Sequence, residues 1–281
     1  MVDATREVFA SLSEAQVTLF YVLAAVASAV FLYGLWLRAR KYRTGTGEYT
    51  FPIAGLPMRL GAAVWVIAKH TTIGRDDLYV RVSHFLVFWG FTALFVATAI
   101  LTIDHDFVRP FFPPGFWRGP FFLAYELGAD LGGVALVAGT LMLMARRWIL
   151  RPFRLGYARV DLAPERYSRT DYARGDALFL VVLLGLGLSG FLLEGARIAL
   201  ERPDFALWSF GGALVAAAIG PLGADAAEAV RAFTWWAHAL FALAFVAYLP
   251  YGKGVHMFLD PVTLLLRDDR AGRRLPAPEA A

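Results

Sequence analysis

Two histidines near the end of the sequence are spaced so that both could bind the same kind of group. His238 and His256 lie in one apolar segment, eighteen residues apart. Eighteen residues make five full turns of an α-helix, so both imidazoles would point the same way, roughly 27 Å apart along the axis. That distance is close to the thickness of a bilayer core. Because neutral imidazole is an axial ligand of haem iron, the spacing predicts two haem-ligand positions and electron transfer across a membrane.

His84 is the histidine that could complete a site with His256. It stands at the start of the second long apolar segment, whereas His256 stands at the end of the last one. If these segments cross the membrane in opposite directions, both histidines lie at similar depth on different helices, as bis-histidine ligation of a haem requires. The sequence therefore predicts one haem b with iron bound by His84 and His256. Pro250 and Gly252 precede His256 and are expected to kink the helix there.

His238 is the third predicted ligand of haem iron, but its partner is not evident. A residue at matching depth on the second apolar segment would be Leu94, which cannot bind iron. His105 is the remaining candidate on that side, but its position between two aspartates favours a solvated loop residue. A second haem is therefore left open. His70 is predicted to be structural or exposed.

The elements that must position these histidines are long apolar segments. The 281 residues are 58% hydrophobic and 18% charged, whereas soluble domains have about 25% charged residues. The predicted spans are 17–37, 82–103, 121–145, 177–196 and 230–256. The predicted fold class is thus all-α, a multi-pass membrane bundle of five helices. Residues 1–16 are predicted to form an outer N-terminal segment, 17–260 the membrane domain and 261–281 a cytoplasmic tail.

The basic residues predict how the bundle is oriented. Of the 27 lysines and arginines, 21 fall on the side of the first and third connections and the C-terminus, and six fall on the other. This asymmetry predicts an outer N-terminus and a cytoplasmic C-terminus in the cytoplasmic membrane. It also accounts for the basic composition without a nucleic-acid partner. The absence of cysteine excludes iron–sulfur clusters held by these residues.

Two further segments are apolar but are not predicted to span. Residues 58–70 are too short, and are predicted to form an amphipathic helix on the cytoplasmic interface. Residues 205–222 contain three glycines and a proline, and are predicted to form an outer re-entrant or interfacial hairpin.

Charged residues at the outer ends of two spans could also carry chemistry. Glu194 and Arg197 are three residues apart and can face each other on a helix, and Glu126 lies in the outer part of the third span. One interpretation is an interhelical ion pair that locks the bundle. The other is a quinone site in which a carboxylate accepts a proton released by quinol.

Four sequence segments resemble known membrane cytochromes b. They are HFLVFWGF (84–91), GFLLEGARIAL (190–200), WWAHALFALAFVAYLPY (235–251) and HMFLDPVTLLLR (256–267). With the five spans, they resemble the gamma subunit of respiratory nitrate reductase, and more closely the membrane cytochrome b subunits or domains of heterodisulfide-reductase-like proteins. The resemblance covers most of residues 80–267.

The resemblance implies two b-type haems between the second and fifth helices, with His84 and His256 on the cytoplasmic side and His238 on the outer side. The nitrate reductase subunit has a second histidine where this sequence has Leu94. The outer haem could therefore be absent, five-coordinate or bound through His105.

The predicted function is electron transfer between membrane quinone, menaquinone or ubiquinone, and a cytoplasmic iron–sulfur partner. The resemblance implies that the partner is of the heterodisulfide-reductase type, with an electron-transfer flavoprotein as a further donor, and that membrane lipid surrounds the bundle. One alternative is the gamma subunit of a nitrate reductase. An alternative of another class is a haem-free membrane anchor or transporter.

Overall fold

The described residues of the protein fold mainly into helices. The structure is a computed structural model that describes residues 4–10, 12–41, 55–70, 73, 77–152 and 169–266. Its helices are α1 (Glu14–Ala39), α2 (Leu56–Lys69), α3 (Leu78–Thr102), α4 (Gly119–Ala145), α5 (Arg169–Glu201), α6 (Phe210–Ile219), α7 (Ala224–Tyr248) and α8 (His256–Leu265). No strand occurs in these described ranges. The predicted tail, 261–281, begins within α8, and its residues from 267 onward lie outside the described residues.

Five of these helices are long and apolar enough to cross a membrane, as predicted. They are α1, α3 with a π-helical extension to Val108, α4 with a similar extension to Leu150, α5 and α7. A helix satisfies its own backbone polar groups, which is the requirement for crossing lipid. Capping side chains fix some of the ends. Ser13 and Gln16 form a capping box at the start of α1, and Asp77 caps α3.

The last span differs from its predicted extent, because α7 ends at Tyr248 and His256 is the first residue of α8. Pro250 lacks the N–H needed to continue the helix, and the chain turns at Gly252 before a short 3₁₀ segment. His238 and His256 therefore lie on two helices. The common face that their spacing predicted does not exist.

The apolar segment 205–222 forms the short helix α6 with a 3₁₀ turn on each side, and it does not span. Residues 58–70 lie in α2 and at its C-cap, so the predicted helix is present, while its position at the cytoplasmic interface stays a prediction. In the bundle, α3 packs along α4, and α5 contacts α4, α6 and α7. The α1 helix packs against α7, while α2 packs against α8. We call the two ends of the bundle the His84 end and the Glu126 end.

The contact between α3 and α4 depends on a glycine. A Cβ atom at Gly90 would lie 2.5 Å from the backbone nitrogen of Leu136 and 2.7 Å from the carbonyl oxygen of Gly132. Gly90→Ala is therefore expected to push the helices apart and to destabilise the fold by about 1–3 kcal/mol. The measurement is thermal unfolding in detergent. The matched control is Gly128→Ala on α4, where a Cβ atom meets nothing within 4 Å. Equal midpoints for the two variants would contradict the expectation.

Candidate functional site

At the His84 end, the structure brings together the two histidines that the sequence pairs. His84 lies in the second turn of α3, and His256 begins α8. Their ring centres are 6.4 Å apart. Two imidazoles that bind one metal ion from opposite sides, each through a bond of about 2.0 Å, have ring centres about 6 Å apart. The spacing is therefore compatible with one iron ion between the two rings.

Hydrogen bonding prepares His256 to act as a ligand. Its Nδ1 lies 2.6 Å from the carbonyl oxygen of Lys253. A carbonyl can only accept, so Nδ1 carries the proton and Nε2 keeps its lone pair for a metal. On the other ring, Nδ1 of His84 is buried and has no hydrogen-bond partner among the described residues. Buried polar atoms normally have a partner, so this one indicates that a further group belongs here.

A third histidine, His70, lies beside this pair, and the sequence did not place it there. Its ring centre is 5.0 Å from that of His84 and 4.8 Å from that of Phe88, and the residue is only 2% exposed. Its backbone is left-handed, with φ of 52°, at the end of α2. Burial lowers the pKa of this imidazole. The exposed interpretation of His70 is wrong. His70 lies at the C-cap of α2, outside the spans, so the periodicity of the spans does not predict its contact with His84.

His238 lies on α7 and also has an ordered hydrogen bond. Its Nδ1 is 2.9 Å from Oγ of Ser189 on α5, and that oxygen is 3.2 Å from the carbonyl of Leu186. If the hydroxyl donates to the carbonyl, it accepts from Nδ1–H and leaves Nε2 of His238 available. Gly190 lies against the ring, where an added Cβ atom would be 3.6 Å from Cε1.

The structure does not bring His105 to His238. His105 lies in the π-helical extension of α3, 2.6 Å from the carboxylate of Asp106, and its ring packs edge-on against Phe9 at 5.2 Å. No ring contact between the two histidines occurs among the described residues. Leu94 packs in the apolar core around Leu136. Nor does any set of three or more described histidine and carboxylate side chains form a metal-binding group.

At the Glu126 end, charged side chains from α4 and α5 form one buried network. The guanidinium of Arg197 lies 2.6 Å from Glu194 and 3.3 Å from Glu126, which is 3% exposed. The predicted pairing of Glu194 with Arg197 is therefore confirmed. Arg197 also contacts Glu201, which is partly exposed, at 3.0 Å. The network thus connects a buried carboxylate to the surface of the bundle.

Arg6 is a member of this network that the sequence pattern did not predict. Its guanidinium lies 2.7 Å from Glu194 and 3.2 Å from Glu126. Burial opposes its charge, but the two carboxylates outweigh that effect and raise the pKa of Arg6. The N-terminal segment is held in place here, since the amide of Gly119 donates to the carbonyl of Ala4 at 2.7 Å. A contact across 188 residues leaves no periodic signal in the sequence.

The hairpin around α6 covers this network. Asp130 on α4 accepts hydrogen bonds from the amides of Gly211 and Gly212, at 2.8 and 3.3 Å. The hydroxyl of Ser209 donates to Glu126 at 2.6 Å. Beside the network is a cavity of about 580 Å³ whose lining includes Arg6 and Glu201. Its volume is within the range of small-molecule sites, about 300–1,000 Å³.

Comparison with known proteins gives distant relatives. No family model and no solved structure matches the chain. The EtfAB:quinone oxidoreductase of Syntrophomonas wolfei is 24% identical over 260 residues, which are 89% of this chain and 33% of that protein. The chain therefore spans about a third of that relative's length.

Two further relatives match over nearly their whole length. Both are the same subunit of the dihydromethanophenazine:CoB–CoM heterodisulfide reductase, 25% identical in Methanosarcina barkeri and 24% identical in Methanosarcina mazei. Each match covers 87% of this chain, and 89% and 90% of the respective relative. The comparisons thus support a membrane electron-transfer protein similar to this component of heterodisulfide reductase.

Proposed function

We propose that this protein is a membrane cytochrome b subunit that passes electrons between quinone and a soluble iron–sulfur partner. The observation that carries the proposal is the pairing of His84 with His256 at 6.4 Å in a bundle of five apolar helices. His84 and Nε2 of His256 would hold a haem b, which supplies reversible one-electron iron chemistry when bound. His238 offers one ligand for a second haem.

The partner is proposed to dock at the His84 end, which the basic residues predict to be cytoplasmic. Iron–sulfur clusters need cysteine thiolates, and these 281 residues contain none, so the clusters lie outside them. The names of the relatives favour a partner of the heterodisulfide-reductase type, with an electron-transfer flavoprotein as a further donor.

The network at the Glu126 end is proposed to serve a quinone site for menaquinone or ubiquinone. Oxidation of a quinol releases two electrons and two protons. Glu126 is buried beside Arg6, which lines the cavity, and it contacts Glu194 through the shared arginines. Arg197 then contacts Glu201 at the surface. The chain of carboxylates offers a route by which protons leave the site while electrons move to the haem.

Glu126→Gln tests the proton role. The amide keeps the size of the side chain and can still accept a hydrogen bond from Ser209, but it cannot take up a proton. We expect haem reduction by quinol to slow about a hundredfold, with haem content unchanged. Stopped-flow absorbance with a short-chain quinol measures the rate. The control is Glu228→Gln, which alters a carboxylate that is half exposed and paired with Arg231. Equal rates in both variants would remove Glu126 from the proton path.

The experiment that tests the whole proposal is a dithionite-reduced-minus-oxidised spectrum of the purified protein, with haem quantification. We expect a b-type α band and one or two haems for each chain. A protein without this band would instead fit a haem-free anchor or transporter. A content of two would assign a haem to His238.

A further inference from the structure

A second cavity lies at the His84 end and has no role in the function proposed above. Its volume is about 280 Å³, and its lining includes Val80, Phe179 and the charged residues Arg146, Arg147, Asp176 and Lys253. These residues come from the start of α3, the π-helical extension of α4, the start of α5 and the turn before α8. Two of these elements, α3 and the turn that leads into α8, also position His84 and His256.

Two links place this cavity next to His84 and His256. Val80 and His84 are four residues apart on α3, so they share one face of the helix in successive turns. Lys253 belongs to the cavity lining, and its carbonyl accepts the hydrogen bond from Nδ1 of His256. The cavity thus borders the histidine pair on the side toward the end of the bundle.

Positive charge predominates in the lining. Arg147 and Lys253 both pair with the carboxylate of Asp176. Phe179 also lines the cavity and contacts Phe245 of the apolar core, with ring centres 5.7 Å apart. The lining therefore combines cationic side chains with apolar side chains that join the core.

We infer that this cavity binds the two propionate carboxylates of a haem held by His84 and His256, with Arg147 and Lys253 as their cationic partners. The inference rests on the proposed function. A haem has an apolar macrocycle and one edge with two carboxylates, and carboxylates at the margin of a membrane need cations. The cavity offers two cations grouped around Asp176, beside the histidine pair. Its 280 Å³ suits an edge of the haem and not the whole group.

Lys253→Gln and Arg147→Gln in the purified holoprotein test the inference. We expect the propionate bending bands in the resonance Raman spectrum to shift, while the bands of the histidine-bound iron stay unchanged. We also expect a lower midpoint potential, because a lost cation favours the oxidised haem. Transfer of the haem to apomyoglobin should become about tenfold faster. Lys253→Arg should keep the wild-type bands. The control is Arg40→Gln, which alters a cation that lies over Trp36.

Asp176→Asn removes a negative charge instead of a positive one, so its effects should have the opposite sign. It also keeps the inference testable if the Arg147 and Lys253 variants fail to fold. Removing the shared carboxylate leaves more positive charge for the propionates, so we expect a higher midpoint potential and slower haem transfer. Unchanged propionate bands in all three variants would overturn the inference. Native mass spectrometry could instead show that the variants lose a bound anionic phospholipid while the propionate bands stay unchanged. That result would also overturn the inference. A wild-type protein without haem would instead refute the proposed function.

Discussion

Replacing His84 or His256 with alanine is expected to remove the haem at the His84 end. Each variant leaves iron with one imidazole, and the two rings lie on separate helices whose 6.4 Å spacing suits ligation from both sides. We expect haem content to fall to zero if the protein holds one haem, and by half if it holds two. The pyridine haemochrome assay measures this content. If both variants kept the full content, the pairing would be refuted.

The ligand role can be separated from a structural role by chemical rescue. His84→Gly leaves a space for free imidazole, which should restore the low-spin reduced spectrum if the side chain serves only as a ligand. Thr263→Ala is the control for a general disturbance of α8. The hydroxyl of Thr263 donates to the carbonyl of Leu259 in the same helix, so this variant should keep its haem. A His84→Gly protein that binds haem equally well with and without imidazole would exclude His84 as the ligand.

The five spans could be predicted because lipid imposes a simple requirement, about twenty apolar residues with an internally bonded backbone. The end of α7 was harder to predict. Apolar residues continue beyond Tyr248, so composition alone carries the span on to His256. Only Pro250 and Gly252 report the break, and a proline in an apolar helix predicts a kink as readily as an end. The orientation of the bundle remains a prediction from the distribution of basic residues.

The site was predictable where depth along a helix decided the outcome. His84 lies near one end of α3, and His256 follows the adjacent end of α7 by eight residues, so their similar depth can be counted in residues. Arg6 lies in the N-terminal segment, His70 at the C-cap of α2 and Asp176 in the first turns of α5, and the periodicity of the spans does not predict their partners. Their contacts follow from tertiary packing, so the cationic cavity and half of the network at the Glu126 end could not be foreseen.

Arg197→Gln is expected to have the largest effect on stability of any single substitution at the Glu126 end. Arg197 lies between Glu194 and Glu126, and both carboxylates are largely buried. Removing one partner from a buried ion pair leaves an uncompensated charge and costs about 3–5 kcal/mol. Arg6 can neutralise only one of the two carboxylates. Thermal unfolding in detergent, followed by tryptophan fluorescence, measures the loss, and the exposed Arg202→Gln is the control.

A second substitution shows whether the cost comes from charge. In the double variant Glu194→Gln/Arg197→Gln, Arg6 remains opposite Glu126 at 3.2 Å, so the network is again neutral. We expect the double variant to recover more than half of the stability lost by Arg197→Gln alone, which is a large coupling between contacting residues. If the stability losses of Glu194→Gln and Arg197→Gln simply add in the double variant, the guanidinium of Arg197 contributes by packing. The carboxylates would then tolerate an unpaired charge, as a site that takes up quinol protons requires.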